Sequence, residues 1–94
     1  MDFKSYKLLG FERGKGYKKY NAVLEDKKSK KIIHIAFGDK RYEQYKDNVL
    51  GLYSHLDHND KKRLDNFRSR FGSQYEKIKD DPTSALYWSW NYLW

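Results

Sequence analysis

His55, Asp57, His58 and Asp60 put two imidazoles and two carboxylates within six residues, in the stretch "SHLDHNDKKRLDNFRSRFG" from Ser54 to Gly72. Such side chains bind metals and move protons, and a metal-dependent nuclease or phosphoesterase would gather them around a scissile phosphate. The spacing argues against that chemistry. A zinc-protease helix needs histidines at i and i+4 with a glutamate between them, and a calcium loop needs a glycine at its sixth position and a closing glutamate. No second carboxylate cluster completes a site. Asp57, Asn59 and Asp60 are better suited to a helix start, where their oxygens accept first-turn amides and their charge opposes the dipole. His55 and His58 are then surface or half-buried hydrogen-bonding residues. The chain reads as non-enzymatic, with no catalytic residue, metal or cofactor.

The cations that follow have a different chemistry. Counted from Asp60, Leu64, Phe67 and Phe71 fall on one side of a helix of about three turns, with Gly72 as its natural stop. Arg63 and Arg70 line one flank with Asn66 between them, Lys61 and Arg68 line the other, and Lys62 points farthest from the apolar side. Phosphate backbones call for cations repeated along a rigid surface. Lys40 and Arg41 add to this set just ahead of the helix, and Lys18, Lys19, Lys28 and Lys31 add to it from the hairpins. Some of these cations also have Asp57, Asp60 or Asp65 at ion-pairing distance along the helix.

The elements that must carry these residues are legible in the alternation of side chains. "KSYKLLGF", "YKKYNAVL" and "KIIHIAF" read as three short antiparallel strands over about residues 4–37, with Tyr20, Ala22 and Leu24 on one side. Gly14 and Gly16 suit the first turn, and the Lys-rich second loop is a solvated tip. "GDKRYEQYKDNVLG" is expected to form a turn and one or two helical turns, with Tyr42 and Tyr45 packing back on the sheet. In the tail "DDPTSALYWSWNYLW", the proline after Asp81 suits a first helical turn. The strict alternation of Leu86, Trp88, Trp90, Tyr92 and Trp94 also fits a strand; length and capping favour a helix, buried in the core. The fold class is therefore α+β: a small three-stranded antiparallel sheet followed by two to three helices packed on it.

The 94 residues suffice for a single domain, and 17 aromatic residues among them mean a core built largely of rings. A net charge of +7 favours polyanionic partners. It is uneven: residues 1–38 carry ten basic and four acidic groups (+6), residues 39–72 eight and six (+2), and residues 73–94 two and three (−1). Cysteine is absent, which excludes disulfides and thiolate chemistry. No run approaches the ~20 apolar residues of a membrane span, and the start lacks a secretory segment. The expected setting is intracellular, away from membranes.

From "FGDKRYEQYKD" through "GLYSHLDHNDKKRLDNFRSRF" to "SALYWSWNYLW", the chain resembles a family of small, basic, uncharacterised proteins of large double-stranded DNA viruses and some phages. The resemblance spans about residues 18–94. It is carried by Phe37, Gly38, Tyr42, His55, Asp57, Arg63, Phe67, Arg70, Ser84, Ser89, Leu93 and Trp94. Phe71 departs from the pattern, which has a basic residue or histidine there. The resemblance implies a viral or phage origin and a place in the host cytoplasm or the virion. Together these features lead to a nucleic-acid-binding protein, DNA foremost, acting without sequence specificity. The alternative is a virion-structural or protein-interaction module on an acidic surface, such as an inhibitor of a host factor. A metal-dependent nuclease ranks last, and self-association stays open.

Overall fold

Residues 3–94 are described by a computed structural model. Three strands, β1 (Tyr6–Arg13), β2 (Tyr20–Asp26) and β3 (Ile32–Phe37), form an antiparallel meander in the order β1-β2-β3. The helices α1 (Lys61–Ile78) and α2 (Ala85–Tyr92) follow. The architecture is the expected α+β sheet with helices.

Alternation decides which way the sheet faces. Tyr20, Ala22 and Leu24 of β2 are fully buried and lie opposite Phe37, Ile35 and Ile33 of β3. In β1 the register slips between Leu8 and Gly10, so that Leu8 faces Leu24 while Phe11 faces Ala22. That bulge shifts the side-chain phase by one residue and keeps both Leu8 and Phe11 on the core side. Gly14 closes the first hairpin where a Cβ would lie 2.4 Å from the Lys18 carbonyl oxygen. At the end of β3, Gly38 turns the chain at φ 75°, where a Cβ would approach Leu93 Cδ1 at 3.0 Å and Lys19 Cβ at 3.1 Å.

α2 is a helix despite its alternating sequence, and its place in the fold explains the alternation. Trp88 and Tyr92, one turn apart, face the sheet: Trp88 meets Phe3, Phe11 and Phe37 at centroid distances of 5.8, 5.6 and 6.3 Å, and Tyr92 meets Phe11 at 5.1 Å. Trp90 and Trp94, also four apart, face α1. Trp90 stacks on Tyr75 at 4.1 Å and Trp94 stacks on Phe67 at 4.4 Å. Two interleaved i, i+4 pairs on opposite sides of a sandwiched helix read as period two. The Trp88 indole N–H donates to the Pro82 carbonyl at 2.7 Å, so the buried proline sits in the turn ahead of α2 rather than in its first turn, and Ser84 is the N-cap.

α1 departs from expectation at its far end. It runs through Gly72 to Ile78, because Tyr75 and Ile78 continue the half-buried stripe of Leu64, Phe67 and Phe71. No residue of α1 is fully buried. Between β3 and α1, residues 38–60 form no α-helix, contrary to the helical turns expected there; their only helical element is a 3-10 turn at Ser54–Leu56.

The long loop is fixed by a buried polar network instead. Lys19 is 2% exposed, and its ammonium donates to the Tyr42 carbonyl at 2.9 Å and to Gln44 Oε1. Gln44, fully buried, donates from Nε2 to the Tyr53 carbonyl at 2.8 Å and to Asp57 Oδ1 at 2.6 Å. The Tyr20 hydroxyl donates to Asp47 Oδ2 at 2.6 Å, and Asp47 also accepts the amides of Val49 and Tyr53. Backbone bonds from Tyr45, Lys46 and Asn48 to the Leu93 and Tyr92 carbonyls tie the loop to the end of the chain.

Candidate functional site

The histidine–aspartate cluster is spent on local structure. Asp60 is the N-cap of α1, accepting from the Lys62 and Arg63 amides at 2.9 and 3.3 Å. Asp57 accepts from Gln44 and from the Asp47 amide at 2.8 Å, inside the network that holds the loop. His58 Nδ1 accepts the Asp60 amide at 2.9 Å, which leaves Nε2 as the protonated nitrogen of the neutral ring. That nitrogen is buried and has no hydrogen-bond partner among the described residues. Burial, then the nearby Arg63 charge, holds the His58 pKa below its ordinary value. His55 is exposed. Among the described residues no three His, Asp or Glu side chains come together as a metal site.

The cations fall into separate groups. Arg41, from the loop, and Arg63 and Arg70, from one flank of α1, line a groove of about 530 Å³ together with Tyr42, Phe67, Phe71 and Trp94. Asn66 lies in the same wall, as the helical spacing requires. Lys18 borders an adjoining hollow of about 270 Å³ that shares Tyr42, Glu43 and Trp94 with the groove. Lys40 is exposed, and its amide donates to the Tyr17 carbonyl at 2.7 Å, linking the loop to the first hairpin. Arg68, on the other flank of α1, donates to the Trp94 carbonyl at 2.7 Å and lies 5.4 Å from the Trp90 ring. Lys61 and Lys62 are exposed in the first turn.

Of the expected set, Lys19 is corrected, and Lys28 and Lys31 lie apart from the groove. Lys19 offers no charge to a partner, because its ammonium is buried in the network above. Burial pushes its pKa down, and the charges of Asp47, Asp39 and Asp57 only partly offset that. Lys28 and Lys31 lie in the β2–β3 turn, and in a meander that turn is at the opposite end of the sheet from the β1–β2 turn carrying Lys18. Tyr42 does not pack on the sheet but stands exposed beside Arg41, and Tyr45 packs on His58.

Acidic neighbours set the orientation of two of the groove arginines. Asp39 accepts from Arg41 Nε at 3.0 Å and Nη2 at 2.8 Å, and these bonds lower the Asp39 pKa to about 2. Arg63 Nη1 donates to Glu43 Oε1 at 2.9 Å. Arg70 has a ring neighbour, Phe71, at 5.2 Å. Exposed ion pairs contribute about 0–1 kcal/mol each, so a phosphate can take over the guanidinium donors at little cost.

No family model, curated protein or solved structure matches this chain.

The sequence pointed to Arg63, Asn66 and Arg70 as one flank, and they form one wall. It missed Trp94 and Phe67 as the aromatic floor, and it missed the junction of Tyr17 with Arg41. The available signal was the i, i+4 relation of Trp90 and Trp94, which places Trp94 against α1 once the tail is taken as a helix.

Proposed function

We propose that the protein is a non-enzymatic nucleic-acid-binding module of a virus or phage that grips phosphate backbones without sequence specificity. The observation that carries this reading is the convergence of Arg41 with Arg63 and Arg70 on one aromatic-walled groove, although 22 positions separate Arg41 from Arg63 in sequence. Lys18, in the adjoining hollow, adds a further cation beside it. Guanidinium groups bind phosphate oxygens in pairs of parallel hydrogen bonds, and each neutralised phosphate releases counterions. The viral or phage setting is supported by the sequence resemblance alone.

Fluorescence anisotropy with labelled oligonucleotides tests the reading. Binding is expected at ~50 mM salt and should weaken steeply as salt rises. Arg63→Ala and Arg70→Ala should each weaken it and lower the salt slope by about one. Absence of binding at low salt ends the proposal.

A protein-interaction role draws on a different surface. Leu9 and Ile32 are exposed on the sheet face turned away from α2. Among its neighbours in sequence, β3 is also an edge strand with no lysine, proline or bulge to blunt it, whereas β1 has a bulge, Lys7 and Arg13. Co-purification of a protein that resists nuclease treatment would favour this second reading.

A further inference from the structure

Fifteen of the 17 aromatic side chains are buried or half-buried; only Tyr17 and Tyr42 are exposed, at 64% and 65%. Both lie against one guanidinium. The Arg41 carbon is 4.4 Å from the Tyr17 ring centroid and 5.8 Å from that of Tyr42. Tyr17 comes from the first hairpin and Tyr42 from the long loop, and the Lys40–Tyr17 backbone bond holds the two segments together. Asp39 grips Arg41 from its edge through two side-chain bonds, which leaves the planar faces of the guanidinium to the rings.

An exposed tyrosine by itself needs no explanation. Two that flank one of the three arginines lining a groove, with Tyr42 itself in the groove wall, form a different arrangement. Aromatic rings beside a positive groove are stacking platforms for bases, which offer a π-face whatever their identity. In a duplex those faces are occupied by neighbouring base pairs, so a duplex reaches only the cations. An unpaired strand engages both. The groove volume of about 530 Å³ lies in the ~300–1,000 Å³ range of sites for small organic ligands, which is room for an unstacked base.

We infer that the groove takes single-stranded nucleic acid, with bases stacking on Tyr17 and Tyr42 and the backbone phosphates meeting Arg63 and Arg70. This rests on the nucleic-acid reading above and narrows it to one structural class. Glu43, paired with Arg63, lines the groove, and a phosphate there competes with it.

The test compares the full chain and its variants by anisotropy at ~50 mM salt. The probes are oligothymidylate and oligouridylate of about 16 nucleotides, the upper end of common site sizes, and a mixed-sequence duplex of the same length. Single strands should bind at least about tenfold more tightly than the duplex. Tyr17→Ala and Tyr42→Ala should each weaken single-strand binding by roughly 5- to 150-fold, the equivalent of the ~1–3 kcal/mol of one stacked base, and weaken duplex binding by a clearly smaller factor, since the duplex loses only the support that the rings give Arg41. Tyr17→Phe and Tyr42→Phe should retain it. The oligouridylate arm shows whether RNA is accepted as well as DNA. Equal affinity for duplex and single strand, or alanine variants that bind single strands like the parent, overturns the inference and leaves the broader reading standing. No binding to any probe removes both.

Discussion

The Tyr20 hydroxyl joins the sheet to the long loop, donating to Asp47 and accepting the Leu52 amide at 3.0 Å. Tyr20→Phe leaves both partners short inside the protein, and urea denaturation should report a loss of about 1–3 kcal/mol. The pair also sets how stability depends on pH. Burial, reinforced by the bond to Asp47, raises the Tyr20 pKa from 10.0 to about 12. Between those values the unfolded chain loses the proton and the folded chain keeps it, so stability falls as pH rises from 10 to 12. The Phe variant should lose that alkaline slope. Burial on its own would raise the Asp47 pKa, but the bonds from Tyr20 and from the Tyr53 and Val49 amides outweigh it and hold it below 3.8. Its contribution is complete above 3.8 and fades as pH falls below it. His58 gives a third residue-scale reading. Its lowered pKa means that the unfolded chain binds the proton first as pH drops below 6.5, so stability declines there. In an NMR titration His58 should reach its midpoint below 6.5, and a midpoint above 6.5 would contradict the buried Nε2 described above.

At the scale of elements, Gly72 sits inside α1 with open space around the Cβ it lacks. Gly72→Ala should therefore stabilise the protein by about 1 kcal/mol, measured as a higher urea midpoint with unchanged slope. A decrease would place the helix end at Gly72, as a glycine stop signal suggests. Both readings of this residue come from sound rules, and packing arbitrates: Tyr75, stacked on Trp90 of α2, and the half-buried Ile78 outweigh the glycine. The strands were legible because one buried face leaves an alternating pattern, and only the β1 bulge disturbs it. α2 was legible as a helix from its length and start signals, although Pro82 stops short of it. Residues 38–60 were not legible. Their order depends on burying Lys19, Gln44 and Asp47, residue types that local pattern assigns to solvent, and their partners lie up to 27 positions away. The same cause explains why Lys19 looked like a surface cation. A local window counts charge but does not see which charge the fold encloses.

Across the whole molecule, the order is sheet, α2, then α1, with α2 as the shared middle layer. The rings that fix α2 to the sheet surround a fully buried Trp88, while α1 is held by half-buried rings stacked on Trp90 and Trp94 and by the Arg63–Glu43 pair at its entry. None of these contacts, nor the bonds from Arg68 to the Trp94 carbonyl and from Asn91 to the Tyr75 hydroxyl, involves Trp88. Protein segments with little buried apolar area open locally at free energies below that of global unfolding. Amide hydrogen exchange should therefore find α1 exchanging well ahead of β2, and equal protection of the two would show a single cooperative unit. The groove has one wall on each side of this boundary: Arg41 and Tyr42 belong to the loop, and Arg63 and Arg70 to α1. A strand bound between them would act as a clasp, and adding oligothymidylate should slow exchange in α1 more than in the sheet. Occupancy of the groove would then be recorded in the lifetime of a helix whose own packing leaves it only partly anchored.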